Sequence, residues 1–340
     1  MKKNNFYFIL FLITSMFALN SCETDVNIFE EGKETTVVYG YLDVDADTNY
    51  IKITKSFIGN AVDNAPVYNN SNYDYKLDVQ LIGKFADMPN IVTSTVMDTC
   101  SLYKPYDPDA LFYSGMNQGL YYTTRKLLEN ENYKLVIKRN DGVEITSNVK
   151  TISNSSIKQP IYTIHFESPN SNKISWLPTN TSHFPTYYEV VGYFHYKQLD
   201  PGSTDTVNHS VKWFMGSGTA DQLWNQSDYR MNINYTPKNL YSHLMADPNI
   251  ANTSSVYVQR FVDDFEIVIS ATGEELYNYI LIQNSTGAIQ DTPEYTNVEN
   301  GIGIFSSRSE CHHFIEVHGR TINTLMRDYP EWGFQKLPGQ

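Results

Sequence analysis

The amino-acid sequence predicts an all-β protein of two β-sandwich domains, immunoglobulin-like or fibronectin-like, with two or three short helices in the second domain. Composition gives the first indication, because 26 of the 340 residues are tyrosine and tyrosine is enriched in β-strands. Short segments that alternate apolar and polar residues between turn residues give the second. The third is length, since 340 residues exceed the roughly 100–200 residues of one typical domain.

Residues 1–21 have the pattern of a bacterial lipoprotein signal peptide. Two lysines follow the initiator methionine, an apolar stretch occupies residues 6–19, and a serine precedes Cys22. The apolar stretch is shorter than the roughly 20 residues of a membrane-spanning helix, which indicates a cleaved export segment. We therefore expect a mature chain that begins with a lipid-modified Cys22 and continues through a flexible tether over 22–33. The alternative is an ordinary secretory cleavage site with a free or disulfide-bonded cysteine.

The first domain is expected over residues 34–152, where several segments have the period of a strand. The strongest hairpin signal is the Asn140-Asp141-Gly142 turn, because Asp-Gly between two alternating segments favours a hairpin. These strand-like segments are 35–42, 50–55, 75–82, 119–122, 133–138 and 143–145.

The second domain is expected over residues 161–338, after a polar, serine-rich linker that ends at Pro160. The order of its first strands is typical of a fibronectin-type sandwich, and we expect Trp176 to lie in the core between the sheets. An alternative role for Trp176 is a surface on which sugars stack. The strand-like segments are 161–166, 173–176 and 187–194.

Two helices are expected in this second domain. Thr236 offers an N-cap and Pro237 suits the first helical position, and apolar residues follow at helical spacing. Thr272 and Glu275 fit a capping box, which predicts a helix over 273–283. Both apolar stripes are more typical of a protein core than of a cofactor site.

Residues 293–305 read PEYTNVENGIGIF, which is similar to an N-[IV]-x-N-G-x-G-x-F stretch. With this segment, the chain resembles the outer-membrane lipoproteins of Bacteroidota that contain the domain of unknown function 4249. The resemblance covers most of the mature chain. It extends to the signal with Cys22, the Val-Val-Tyr-Gly-Tyr-Leu strand at 37–42, the segment 131–135 and the segment 274–279.

The resemblance implies a lipoprotein that is anchored in the outer membrane. Acidic residues follow Cys22 closely, and in Bacteroidota this pattern favours the extracellular face. Family members are often encoded beside TonB-dependent transporters, so the resemblance implies a non-enzymatic accessory or binding subunit of such an uptake system. It implies no catalytic residues, and we expect no cofactor.

The charge of the chain argues against binding to nucleic acid. Two lysines leave with the signal peptide, so the mature net charge is (25 − 2) − 38 = −15. Such a charge repels phosphate groups, which excludes non-specific binding to DNA or RNA.

We interpret Asn297, Asn300, Gly301, Gly303 and Phe305 as a structural motif. Asn300 and the glycines suit a turn with positive φ that is followed by close backbone packing, and Phe305 would anchor the turn. Glycines without a lysine or a following helix are too little for a nucleotide-binding loop.

The densest set of possible metal ligands is Glu310, His312, Glu316 and His318. Strand alternation would place the four side chains on one side of a strand. The sequence contains no closed Cys/His quartet and no H-E-x-x-H helix. The alternative, which we favour, is a solvated strand face without metal.

Four aromatic residues, Trp213, Trp224, Tyr229 and Trp332, could form a ligand-binding platform, because flat rings stack on sugars and peptides. The alternative, which we favour, is burial in a tyrosine-rich core.

Two other functional classes stay open at this point. A surface glycan hydrolase would use Asp263 and Asp264 as its best residues, although no G-x-S-x-G motif occurs. An adhesin or structural envelope protein is the other class. Cys100 and Cys311 either form a disulfide or remain two buried thiols, since a bridge needs Cα atoms within about 7 Å.

Overall fold

β-Strands make up most of the structure, a computed structural model that describes residues 34–56, 71–105, 116–180, 184–251, 258–285 and 295–336. The predicted all-β sandwich class is confirmed. The strands are β1 (Thr36–Leu42), β2 (Asn49–Lys55), β3 (Asp78–Phe85), β4 (Met88–Val96), β5 (Asp98–Lys104), β6 (Met116–Thr123), β7 (Asn132–Lys138), β8 (Glu144–Lys150), β9 (Ser155–Gln159), β10 (Thr163–Ile164), β11 (Asn172–Pro178), β12 (Tyr187–Leu199), β13 (Thr206–Thr219), β14 (Trp224–Asn225), β15 (Arg230–Tyr235), β16 (Gln259–Thr272), β17 (Val298–Glu299), β18 (Gly301–Val317) and β19 (Phe334–Gln335).

Short helices lie in the second half of the described chain: α1 (Ala220–Leu223), α2 (Asn239–Ala246), α3 (Pro248–Ala251), α4 (Glu274–Ser285), α5 (Gly319–Asp328) and a 3₁₀ helix (Pro330–Trp332). Both predicted helices are present, as α2 and α4. The two shortest helices and α5 were not expected from the sequence. Among the described residues, no helix is both long enough and apolar enough to span a membrane.

The strands form three sheets. The ten-stranded sheet has the order β13-β12-β16-β18-β1-β2-β6-β5, with β10 beside β18 and β19 beside β16. The five-stranded sheet has the order β17-β8-β7-β3-β4, and the four-stranded sheet has the order β14-β15-β11-β9. The expected hairpin joins β7 and β8, where Ile137 pairs with Ile145 and Gly142 has a φ of 85°.

Two hydrophobic cores hold these sheets together. The first contains Leu81 of the five-stranded sheet and Ile51 of the ten-stranded sheet. The second contains Trp176 of the four-stranded sheet and Phe265 of the ten-stranded sheet. All four side chains are fully buried. The ten-stranded sheet therefore packs against a different small sheet in each core, which is the arrangement of a β-sandwich.

Strand β18 takes part in both cores. Its residues 301–307 pair in parallel with β1, and its residues 308–316 pair antiparallel with β16. Phe305 lies in the first core and Ile315 in the second. Thr35–Gln340 forms one compact unit, in which two cores share this strand. The division into independent domains over 34–152 and 161–338 therefore stays a prediction.

One buried guanidinium connects three segments beside the second core. Arg260 of β16 is fully buried and donates to the side-chain oxygen of Gln198 and to the backbone oxygens of Asn249 and Trp332, over 2.5–2.9 Å. Burial lowers the pKa of this guanidinium, and Tyr196 opposes that effect. Arg260 thus fixes β16 against α3 and the 3₁₀ helix.

Candidate functional site

The motif that ends at Phe305 carries the chain from one sheet to another. The side chain of Asn297 accepts a hydrogen bond from the Phe305 N–H (2.9 Å) and donates one to the Phe305 carbonyl (2.6 Å). Asn300 has a φ of 58° and donates to the Glu144 carbonyl over 3.0 Å. Before this turn β17 pairs with β8, and after it β18 pairs with β1. The motif is therefore part of the packing around the first core.

The two glycines of the motif allow close approach to β1. A Cβ on Gly301 would lie 2.8 Å from the carbonyl oxygen of Thr36, and a Cβ on Gly303 would lie 2.1 Å from that of Val38. Gly303 also has a φ of 111°, which a residue with a Cβ rarely adopts. Space and backbone conformation thus both require glycine at position 303.

The four aromatic residues considered for a ligand platform differ in burial. Trp213 and Trp332 are 4% and 5% exposed and lie in the second core, where protein covers their rings. Trp224 is half-buried against Phe184, with ring centroids 5.0 Å apart. Tyr229 is 71% exposed. Of the four, Tyr229 alone presents a free ring, so they do not form a stacking platform.

The four residues considered as metal ligands do not come together. Glu310 and His312 are neighbours, with 3.8 Å between Oε2 and Nε2. Glu316 lies six residues beyond Glu310 on the same strand, about 20 Å away at the rise of a β-strand. His318 follows the strand as the N-cap of α5, and its ring contacts that of His165, just after β10, at a tilt of 36°. One ion cannot contact all four.

A carboxylate on the outer face of the ten-stranded sheet lies between two histidines. The Glu266 side chain on β16 is 13% exposed, and its oxygens lie 3.1 Å from Nε2 of His195 on β12 and 2.6 Å from Nδ1 of His312 on β18. Tyr193 and Lys212 line the same open cleft of about 360 Å³. Strand alternation indicates the face on which His312 lies, but it does not reveal which neighbouring strands supply its partners.

Two aspartates of β16 lie beside this face. Asp263 forms an ion pair with Lys197 at 2.8 Å. Burial raises the pKa of Asp264; His195 opposes this increase, and the negative charges of Asp263 and Glu266 add to it. Asp264 and Glu266 are two positions apart, so their Cα atoms lie about 7 Å apart on one face of the strand. Their carboxyl groups therefore lie on the same side of the sheet, as a general acid and a general base of one site must.

Strand β4 forms an exposed apolar edge. It is the last strand in the order of the five-stranded sheet. Met88, Ile91, Val92 and Val96 are 48%, 60%, 62% and 66% exposed. In soluble proteins such an edge is a site where another strand can pair.

A bulge in β4 displays Ile91 and Val92. Residues 89–92 lie outside the ladder that Met88 and residues 93–96 form with β3. Arg125 holds the two ends of this bulge, because its guanidinium lies 3.0 Å from the Asp87 carboxylate and donates to the Thr93 hydroxyl over 2.9 Å. The apolar pair is therefore presented by a fixed backbone.

One property of the sequence indicates this edge, although an alternation of apolar and polar residues does not reveal it. Residues 88–96 contain no charged side chain, so that Pro89 and the bulge are the features that limit pairing at this edge. Strand β5 follows and exposes Leu102 and Tyr103, at 42% and 62%. Neither strand buries one side regularly, so neither shows the period of two by which strands are recognised.

The predicted lipidation site, Cys22, and the tether over 22–33 lie outside the described residues. Cys100 and Cys311 are both free thiols. Burial raises the pKa of each thiol, which keeps it protonated and weakly nucleophilic.

Comparison with known families gives one match to the chain. The family model described as "Domain of unknown function (DUF4249)" matches residues 23–311, and this confirms the resemblance seen in the sequence. None of the curated proteins compared with the chain matches it.

Proposed function

The chain belongs to the domain of unknown function (DUF4249) family, and from this premise we propose that it is a lipid-anchored accessory subunit of a TonB-dependent uptake system. In this proposal it lies on the extracellular face of the outer membrane and acts without catalysis. The observation that carries the proposal is the uncharged, exposed apolar edge of β4, which suits a contact with the transporter.

The proposed anchor keeps the folded body close to proteins of the same membrane. Two or more acyl chains on Cys22 hold a protein firmly at a bilayer, whereas one acyl chain binds only marginally. A tether over residues 22–33 would reach at most about 40 Å in extended form. A transporter in the same membrane lies within this reach, and such confinement raises the effective concentration of one partner for the other.

The β4 edge offers two kinds of contact to a strand of the transporter. Backbone N–H and C=O groups on the side away from β3 can extend the ladder. The four apolar side chains, which are 48% to 66% exposed, would contribute about 1–2 kcal/mol each on burial. That total of about 4–8 kcal/mol is comparable to the roughly 4–15 kcal/mol that association costs. Ladder hydrogen bonds and confinement to the same membrane must therefore supply the remaining free energy of association.

Co-purification from mildly solubilised membranes tests the contact. Three tagged full-length forms are compared in the source organism: wild type, the double variant Ile91→Asp with Val92→Asp, and the control Val207→Asp. Val207 is 52% exposed on β13, a terminal strand of the ten-stranded sheet, to which β4 does not belong. The control therefore places the same acid on a different edge.

We expect wild type and the Val207→Asp control to recover the same outer-membrane transport protein. The double variant should recover at least about tenfold less, which corresponds to about 1.4 kcal/mol. Undiminished recovery with the double variant would refute a contact through β4. Failure of wild type to recover any transport protein would refute the accessory role. A Cys22→Ala chain that stayed in the membrane fraction would refute the anchor.

A second candidate function is glycan hydrolysis, which the two carboxyl groups Asp264 and Glu266 favour through their spacing on one face. Burial raises the pKa of Asp264, as in carboxyl groups that act as acids near neutral pH. A glycan-release screen with wild type and Asp264→Asn tests this function. Release of sugar by wild type and its loss in the variant would establish it, and an inactive wild type would exclude it for the glycans screened.

A further inference from the structure

Three potential metal ligands meet where β10 and β18 end together. One ring nitrogen each of His165 and His318 and one carboxylate oxygen of Glu167 lie within 4.8 Å of one another. Ligand atoms around a tetrahedral zinc ion stand about 3.3 Å apart, given metal–ligand distances of about 2.0–2.1 Å. Nδ1 of His165 and Oε1 of Glu167 are already 3.3 Å apart. We propose that these three residues bind a divalent transition metal ion, with zinc as the best-matched ion.

The backbone fixes the two histidines side by side. Ile164, the last residue of β10, pairs in parallel with Val317, the last residue of β18. The N–H of His318 donates to the Ile164 carbonyl over 3.0 Å. His165 and His318 are thus the next residues of two paired strands, and their ring centroids are 4.1 Å apart. Their separation is set by the sheet rather than by side-chain flexibility.

Glu167 is oriented by a buried hydroxyl. Its Oε2 accepts a hydrogen bond of 2.9 Å from the hydroxyl of Thr321, which is fully buried. The Phe166 N–H donates to the same hydroxyl over 3.0 Å. The Thr321 hydroxyl thus holds the carboxylate with Oε1 turned towards His165.

The donor set indicates which ion fits. Two imidazoles and one carboxylate suit zinc and similar transition metals, whereas calcium and magnesium prefer sites of oxygen alone. The side chains of His165 and Glu167 are 42% and 27% exposed, so solvent can reach the cluster. Water can therefore take the fourth coordination position, as in open zinc sites.

Metal binding would replace two existing contacts, the first of which is the hydrogen bond between Nδ1 of His165 and Oε1 of Glu167. Nδ1 of His318 accepts a hydrogen bond from the Arg320 N–H over 3.2 Å. Coordination through Nδ1 would end this bond, and coordination through Nε2 would place the proton on Nδ1 with the same result. A long neutral hydrogen bond contributes far less than a metal–imidazole bond, so its loss does not oppose binding.

Calorimetric titration with Zn²⁺ tests the proposal. The full-length chain is purified without a polyhistidine tag and freed of metal with a chelator. His165→Gln and His318→Asn each remove one ligand, and asparagine at position 318 retains a side chain that can cap α5. His312→Gln is the matched control, because His312 also contacts a glutamate on an exposed strand face.

We expect one Zn²⁺ ion per chain in wild type and in His312→Gln, with affinity at least a hundredfold weaker in His165→Gln and His318→Asn. Co²⁺ in place of zinc should give the visible absorption of a tetrahedral site in wild type and in His312→Gln alone. The unfolding midpoints of the metal-free chains should agree, which separates lost ligands from lost folding. Absence of binding by wild type at micromolar Zn²⁺ would overturn the proposal. Undiminished Zn²⁺ binding by His165→Gln would also overturn the proposal. An equal loss of Zn²⁺ affinity in His312→Gln would overturn it as well.

Discussion

Replacing Gly303 by alanine should disrupt the pairing of β18 with β1. The new Cβ would lie 2.1 Å from the Val38 carbonyl oxygen, so the strands must separate by about 1 Å to reach an ordinary contact. A residue with a Cβ at a φ of 111° carries about 1–2 kcal/mol of strain. Two or three weakened ladder hydrogen bonds add about 1 kcal/mol each. We therefore expect a total loss of about 3–5 kcal/mol in the free energy of unfolding.

The matched control is Gly142→Ala, at the turn between β7 and β8. Gly142 has a φ of 85°, and a Cβ there would meet no atom within 4 Å, so alanine should cost only the strain of about 1–2 kcal/mol. Urea unfolding followed by tryptophan fluorescence measures both losses, provided that the m-values agree. Equal losses in the two variants would show that the approach of Gly303 to Val38 does not contribute, and would refute the reasoning.

Four further changes probe other contacts. Asn297→Ala should cost about 2–4 kcal/mol, because the backbone N–H and C=O of Phe305 lose their partners; a urea midpoint equal to that of wild type would contradict this. Arg260→Met should lower stability by about 3 kcal/mol, since three oxygen acceptors lose a donor worth about 1 kcal/mol each, and unchanged thermal unfolding would exclude that role. Gly319→Ala should raise stability by about 0.5 kcal/mol, because a Cβ there meets open space and alanine lowers the entropy of the unfolded chain; a decrease in the melting temperature would count against it. Glu167→Gln in metal-free protein should be less stable than wild type at pH 7, and the difference should be smaller at pH 3. The sign follows from the lowered pKa of Glu167: its contribution is present above the unfolded value of about 4.3 and is lost as pH falls through the folded value. A difference that is the same at both pH values would contradict the assigned hydrogen bonds.

Local patterns in the sequence predict much of this fold. The Asp141-Gly142 turn specifies the β7–β8 hairpin because glycine accepts the positive φ that such a turn needs. The helical spacing of apolar residues predicts α2 and α4, but the predicted N-caps are wrong, because Lys238 precedes α2 and the Thr272 hydroxyl makes no hydrogen bond. The alternation at Leu77, Val79 and Leu81 predicts a half-buried strand, and all three side chains are buried. In each case the structure depends on residues close together in the chain.

Pairings between distant segments could not be predicted in this way. Nothing in the sequence around His318 indicates that its strand ends beside β10, and so His165 and Glu167 were not singled out. Trp213 and Trp332 show why aromatic residues are ambiguous: the same rings suit a ligand platform and a core, and tertiary packing decides between them. β4 and β5 could not be predicted as strands, because neither strand has one side that is regularly buried.

The double role of β18 makes the ends of the chain depend on each other during biosynthesis. Val38 pairs with Gly303, a residue that leaves the ribosome 303 − 38 = 265 positions later. The first core, which contains Val38 and Phe305, therefore cannot be completed before β18 has been synthesised. A product cut short before residue 301 would leave both interiors open and become a ready target for proteases.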